Sequence, residues 1–292
     1  MKAIRLAIAS TLLLVLAAAN ATAQGKPVLV DGKWLAGHLT DRAVAVVHVV
    51  QSPFEYHAGH LPGARLLPLS AVSVNMDGLT AQLAPPAQVD SVLESLGVSD
   101  GQHVVLYGQP LAVARAFVTL ERFGLKGSVS VLDGGLDLWR ESGRPTTREV
   151  TAVKPGSFTP RVDDTVVDAA WISANGQKAG TKVLDARAPE FYLGVTPGAT
   201  ARAGHIPGAT NLPFSSLTGE LTTMRETGKI RRLFEQAGVG KGDSVVTYCH
   251  IGMQASLLYF AARTLGIPVR IYDGSWEDWA KRSELPVVVE KP

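Results

Sequence analysis

One sulfur atom is the most reactive group this sequence offers. Cys249 is the single cysteine in 292 residues. It stands between the apolar run Ser244-Val245-Val246-Thr247-Tyr248 and the segment His250-Ile251-Gly252-Met253-Gln254-Ala255-Ser256. The first run is β-branched and aromatic and is bounded by Lys241-Gly242-Asp243, so it reads as a buried strand ending at Tyr248. Leu257, Leu258, Ala261 and Leu265 recur at helical spacing, which predicts a helix starting near Gln254. A thiol on the tight loop between them faces the unpaired N–H groups and the positive dipole end of that helix. Such surroundings are expected to favour thiolate, the nucleophilic form. A lone cysteine is otherwise a small buried apolar filler, a role better suited to a strand or helix face than to a glycine-containing loop.

The elements that must position this thiol occur twice. Gly59-His60-Leu61-Pro62-Gly63-Ala64 returns as Gly204-His205-Ile206-Pro207-Gly208-Ala209. His103-Val104-Val105-Leu106-Tyr107 returns as the strand before Cys249, and Leu132-Asp133-Gly134-Gly135 with Trp139 returns as Tyr272-Asp273-Gly274-Ser275 with Trp279. Three matches in one order mean two copies of one domain. Within each copy strands alternate with helical stretches. The first has strands at 45–50, 103–107 and 128–132 and helices at 88–96 and 112–123. The second has strands at 182–185, 244–248 and 269–272, a helix at 230–237 and the helix after Cys249. This alternation predicts an α/β fold with mostly parallel sheets flanked by helices. The expected division is a first domain over 24–150, a linker over 151–164 within the proline-bearing stretch Thr146 to Asp164, and a second domain over 165–292. The second copy carries a longer element between Phe191 and Arg202.

Residues 1–23 read as a cleavable secretory signal. Lys2 and Arg5 precede an apolar stretch from Leu6 to about Ala19, and Ala21-Thr22-Ala23 supplies small residues for cleavage. The apolar stretch is shorter than the roughly 20 residues a membrane span needs, so no stable membrane insertion of the mature chain is expected, and the compartment would be periplasmic or extracellular. Cleavage after Ala23 would remove two of the 28 basic residues and none of the 26 acidic ones, leaving 26 against 26. The bases are interleaved with acids, so the electrostatic basis of nucleic-acid binding is missing. One cysteine and seven scattered histidines show no metal-ligand spacing. A lone cysteine cannot form an internal disulfide after export.

These features together resemble the tandem-domain rhodanese family of thiosulfate and 3-mercaptopyruvate sulfurtransferases. The likeness rests on Leu184-Asp185-Ala186-Arg187, the two Gly-His-x-Pro-Gly-Ala turns, Tyr248-Cys249 with its six-residue loop, and Asp273-Gly274-Ser275-Trp276. It implies two rhodanese-like domains, the first inactive and the second catalytic, and no cofactor. The implied reaction moves a sulfane sulfur from a small donor through a Cys249 persulfide to cyanide, a thiol or a protein acceptor. The residues themselves show the asymmetry, because Gly108 stands where Cys249 does in the other copy.

The expected substrate-binding residues are His250, Ile251, Gly252, Met253 and Gln254 of the loop, whose N–H groups would hold both thiolate and persulfide, with Arg187 and Trp276 beside them. Arg187 has a second reading as half of a buried structural ion pair, and Arg202, on the longer element, reads as solvated. His60 and His205 recur in both copies, so they are assigned to the turns; Trp279 is assigned to the core. A cysteine-dependent phosphatase needs an arginine six residues after the nucleophile to clamp its oxyanion, and Ala255 occupies that position. The resemblance implies a lysine two residues after the cysteine for thiosulfate, or a serine there, preceded by glycine, for mercaptopyruvate. Ile251 and His250 match neither, and Phe191 replaces a substrate-holding arginine. A non-enzymatic persulfide carrier and an oxidant-sensing thiol are the alternatives.

Overall fold

The structure is a computed structural model that describes residues 26–220, 223–224 and 226–290. The signal-peptide reading falls on residues outside these. Among the described residues no helix is long and apolar enough to cross a membrane.

The first half runs β1 (Leu29–Val30), α1 (Gly32–Ala36), β2 (Val44–Val50), α2 (Pro53–Ala58), β3 (Arg65–Pro68), β4 (Ser73–Met76), β5 (Leu79–Leu83), α3 (Pro86–Ser95), β6 (His103–Gly108), α4 (Pro110–Leu120), β7 (Val129–Leu132) and α5 (Gly135–Glu141). The second runs β8 (Val166–Val167), α6 (Ala169–Asn175), β9 (Thr181–Asp185), α7 (Pro189–Tyr192), β10 (Thr210–Asn211), α8 (Thr227–Gln236), β11 (Ser244–Tyr248), α9 (Met253–Thr264), β12 (Val269–Tyr272) and α10 (Ser275–Lys281). The parallel sheets have strand orders β3-β2-β6-β7-β1 and β10-β9-β11-β12-β8, the same order strand for strand. Helices cover both faces, so β2, β6 and β11 are apolar almost throughout rather than alternating.

The repeat extends to contacts that set the chain's course. Asp31 caps α1 by accepting the Trp34 N–H at 2.7 Å, and Asp168 caps α6 by accepting the Trp171 N–H at 2.7 Å. In each Gly-His-x-Pro-Gly-Ala turn the histidine stacks on a tyrosine, His60 on Tyr56 at 3.7 Å and His205 on Tyr192 at 3.8 Å. Each turn also gives an N–H to the matching tyrosine of the central strand: Leu61 to the Tyr107 hydroxyl at 3.0 Å and Ile206 to the Tyr248 hydroxyl at 3.2 Å.

The helices at 88–96, 112–123 and 230–237 expected from periodicity are α3, α4 and α8, each beginning two to three residues earlier. Edge strands β1, β8 and β10 are two residues each and the β4–β5 hairpin is half-exposed, so none leaves a periodic apolar signature. The proline-bearing stretch 151–164 is laid along the first half by backbone bonds. Gly156 N–H donates to Glu94 O at 2.8 Å, Arg161 N–H to Phe123 O at 2.9 Å and Asp163 N–H to Arg122 O at 3.0 Å.

The halves meet through α4 and α9, where Phe117 and Phe260 pack edge to face with centroids 5.0 Å apart. Two reciprocal contacts frame this seam. Leu83 N–H of the first half donates to Asp273 at 2.9 Å, and Met224 N–H of the second donates to Asp133 at 2.8 Å. A third tie places the buried Glu121 carboxylate between the Tyr259 hydroxyl and the Arg263 guanidinium, with all three bonds at 2.8 Å.

Gly108 shows why the first half has no thiol. Its φ is +141°, and an added Cβ would lie 2.1 Å from the Val49 carbonyl oxygen. We expect Gly108→Cys to destabilise the fold by about 2 kcal/mol or more, through backbone strain and this collision, and to load no sulfur at position 108. Urea unfolding and mass spectrometry of donor-treated protein check both.

Candidate functional site

β11 lies at the centre of its sheet, between β9 and β12, with Tyr248 in register with Asp185. The chain leaves β11 at Cys249, and the adjoining turn after β12 fixes the exit. Cys249 N–H donates to Ser275 Oγ at 3.2 Å, while Cys249 O accepts Trp276 N–H at 2.9 Å and His250 O accepts Glu277 N–H at 3.0 Å. Ser275 itself has φ +53° where the first half has Gly135 at φ +50°. A left-handed residue with a Cβ costs roughly 1–2 kcal/mol. Its hydroxyl, which receives the Cys249 N–H and donates to Tyr272 O at 2.9 Å, gives the chemical reason for serine here.

Gly252 then turns the loop into α9 with φ +85°. Its carbonyl accepts both Ser256 N–H at 3.0 Å and Ser256 Oγ–H at 2.8 Å. The turn sets the N–H groups of Ala255, Ile251 and Gln254 on the sulfur's side of the loop, where each acts to lower the Cys249 pKa. The sequence expectation of donors from His250 to Gln254 is therefore corrected at one end: Ala255, in the first turn of α9, is a donor.

The thiol is 1% exposed and joins the apolar core of the half. Burial pushes it above the ordinary cysteine value; the three N–H groups oppose that shift and the Asp185 carboxylate adds to it. The expectation that the loop favours thiolate is thus overturned for the resting site, because desolvation outweighs the dipoles.

The other expected residues divide. His250, Ile251, Met253 and Gln254 form the half-buried rim of the loop, and Gly252 is buried beneath it. Arg187 is 1% exposed and faces Asp185 through a fork, Nε to Oδ1 at 2.9 Å and Nη2 to Oδ2 at 2.5 Å, with Nη2 also donating to Gly204 O at 2.8 Å. Burial works against its charge, but Asp185 more than compensates and holds the guanidinium above its usual value. The assignment of Arg187 to substrate is corrected to the buried pair, a structural position. Trp276 is fully buried, carries the Arg187 guanidinium over its ring at 4.6 Å, and donates Nε1–H to Thr200 Oγ1 at 3.0 Å. It is a wall behind the site rather than a surface of it. Trp279 is core.

The longer element of the second half folds over His250. Phe191 meets the His250 ring edge to face at 4.5 Å, and Gly198 lies against Phe191. Burial and nearby Arg187 lower the His250 pKa, with Asp185 opposing, so its ring presents a largely uncharged rim. Arg202, read as solvated, is instead tied to the carbonyls of Arg282 at 2.8 Å and Leu285 at 2.7 Å. Sequence reasoning missed Ser275 and Arg115 at the loop; the Gly135-to-Ser275 exchange between the copies was a visible signal for the first. Among the described residues no group of three or more His, Cys, Asp or Glu is placed to hold a metal ion.

A doubled α/β sheet whose single cysteine is wrapped by amides at a strand end defines a class of thiol-dependent group-transfer proteins. The chain belongs to the rhodanese-like domain family, whose model matches residues 31–142 and 168–282. Over 276 residues it is 31% identical to the sulfur carrier protein TtuD of Thermus thermophilus, covering 89% of this chain and 96% of that one. It is 30% identical over 275 residues to the 3-mercaptopyruvate sulfurtransferase of Escherichia coli K12, covering 88% and 96%. To the thiosulfate sulfurtransferase of Rattus norvegicus it is 29% identical over 242 residues, covering 80% and 81%.

The raised thiol has a consequence for stability. When the folded pKa lies above the unfolded one, the contribution is whole below about pH 8.5 and is lost as pH rises, because the unfolded chain ionises first. Wild type is therefore expected to lose stability between pH 8.5 and 10 relative to Cys249→Ser, by up to about 1.4 kcal/mol per pH unit. Urea midpoints of the two proteins at pH 7.5 and pH 9.5 measure the difference, and parallel pH dependences would refute it.

Proposed function

We propose that this protein is a sulfurtransferase that moves a sulfane sulfur from a small donor, thiosulfate or 3-mercaptopyruvate, to cyanide or a thiol through a persulfide on Cys249. The observation that carries the reading is the convergence of three backbone N–H groups on the only cysteine. It is supported by the similarity to 3-mercaptopyruvate and thiosulfate sulfurtransferases over most of the chain.

The Cys249 thiol gives its proton to solvent as the donor arrives, and its thiolate Sγ attacks the outer sulfur of the donor. A new S–S bond forms, the donor's bond to that sulfur breaks, and its electron pair leaves with sulfite or, after protonation, pyruvate. The acceptor then attacks the terminal sulfur, taking it as thiocyanate or a new persulfide and returning the thiolate to Cys249. Each step moves anionic charge onto or off a sulfur in a dry cradle. Fixed amides stabilise that charge without reorganising, where water would have to reorient. Two half-reactions on one atom give ping-pong kinetics.

His250, Ile251, Gly252, Met253 and Gln254 form the donor's path to the sulfur, with the neutral His250–Phe191 pair on one side. Residues 1–23, read as an export signal, support a periplasmic or secreted location. A carrier that hands sulfur to a protein partner is the second reading, favoured by the nearly closed thiol and the resemblance to a sulfur carrier protein.

Incubation with thiosulfate or 3-mercaptopyruvate should add one sulfur to Cys249 by mass spectrometry, and cyanide should then release it catalytically as thiocyanate. Cys249→Ser should do neither while remaining folded. Loading without turnover would replace the enzyme reading by the carrier. Ile251→Lys adds a cation at the loop and should raise thiosulfate turnover several-fold; no change would mean that the cation is immaterial to donor choice.

A further inference from the structure

The catalytic loop rests on a charge supplied by the other half. Arg115, on α4 of the cysteine-free domain, is 0% exposed and forms an ion pair with Asp273 of the second domain, Nη2 to Oδ1 at 2.6 Å. It also donates to Ala81 O on β5 and, at 3.4 Å, to Ser73 Oγ on β4. The pair abuts Gly252 directly. A methyl group on Gly252 would lie 3.0 Å from Arg115 Nη1, 3.0 Å from Asp273 Oδ1 and 3.1 Å from Asp273 O. Asp273 opens the turn that continues through Ser275, Trp276 and Glu277, whose groups hold Cys249 N–H, Cys249 O and His250 O.

The pseudo-symmetry of the molecule separates this device from ordinary assembly. The backbone contact on Asp273 from Leu83 has its twin in the contact on Asp133 from Met224. The arginine has no such twin on the facing helix. Residues of α9 that share a cavity with Asp133 and Gly134 are Leu257 and Phe260, both apolar. Among the described residues, the cation is thus found on the side where the partner loop holds the cysteine. Arg115 Nη1 moreover has no hydrogen-bond partner among the described residues. A buried unpaired donor costs stability, and the halves are already tied through Glu121, Tyr259 and Arg263, so packing alone does not account for it.

We infer that Arg115 is a positioning residue for sulfur transfer: through Asp273 it presses the Gly252 turn into the shape that aims the Ile251, Gln254 and Ala255 amides at Cys249. The inference deepens the sulfurtransferase reading by giving the cysteine-free half a part in the reaction. The other charged or titratable groups near the thiol, Asp185, Arg187 and His250, all belong to the second half.

The test is the pH profile of Cys249 alkylation by iodoacetamide, which reads the thiol whether or not the protein transfers sulfur. In Arg115→Gln the profile should move up by about one pH unit, with an approximately tenfold slower reaction at pH 7.5. Single-turnover persulfide loading should slow to a similar extent with donor affinity unchanged, and Arg115→Lys should recover part of the loss. The double variant Arg115→Gln/Asp273→Asn leaves no unpaired buried charge and should fold even if the single variant does not. It should keep the shifted profile, because the clamp on Gly252 is gone. A wild-type profile in the double variant would show that Arg115 merely neutralises Asp273 and would overturn the inference, as would unchanged profiles in both variants with only a lowered melting temperature. Normal alkylation shifts without any persulfide loading would instead remove the sulfurtransferase reading and leave the positioning role standing.

Discussion

A sulfur atom withdrawn from water can bear negative charge only where fixed dipoles replace the solvent, and the second half of this chain is shaped by that requirement. Cys249 sits at the end of the central strand, which places the helix start beyond the sheet edge and lets consecutive amides turn inward. Gly252 makes the turn sharp enough for Ile251 on one side and Gln254 and Ala255 on the other to face the same atom. Burial and amide donation oppose each other at the sulfur, and in the resting site burial prevails.

Duplication explains how such a loop is supported. Each copy contributes the same strand order, the same capped first helix and the same histidine-on-tyrosine turn, so the scaffold is symmetrical. Around the loop, the asymmetry rests on a few positions. Gly108 lets the first copy's central strand run one residue further, in register with Val49, whereas the second copy leaves its sheet at Cys249. Ser275 replaces a glycine and accepts the left-handed backbone for the sake of its hydroxyl. Arg115 places a charge on the seam facing the active copy. One half has kept the architecture and become a buttress, and the seam that would serve any domain pair now also serves the loop.

Much of this was legible in the residues. Duplication, the α/β class, the strand–loop–helix around Cys249 and the loss of the thiol from the first copy all follow from spacing, because central strands and amphipathic helices leave strong local patterns. The two-residue edge strands were not legible, since they bury too few side chains to be periodic. Neither was Arg115: an arginine inside an apolar helix gives no hint of its partner 158 positions away, which only the packing of α4 on the other half supplies. Arg187 was legible as a choice between two roles, and geometry decided it. The fork onto Asp185, two residues earlier, satisfies both groups locally, so the guanidinium is committed to the fold.

That commitment bears on how an anionic donor is received. The arginines nearest the loop, Arg115 and Arg187, are each matched by a carboxylate, so their long-range fields largely cancel. Phe191 and Ile251 stand where the family resemblance implies cations, and His250 is held largely neutral by burial. Recognition must therefore be short-ranged, through the amides and the rim contacts made after the donor has shed its water. A site of this kind gains little on-rate from electrostatic steering and is correspondingly insensitive to ionic strength.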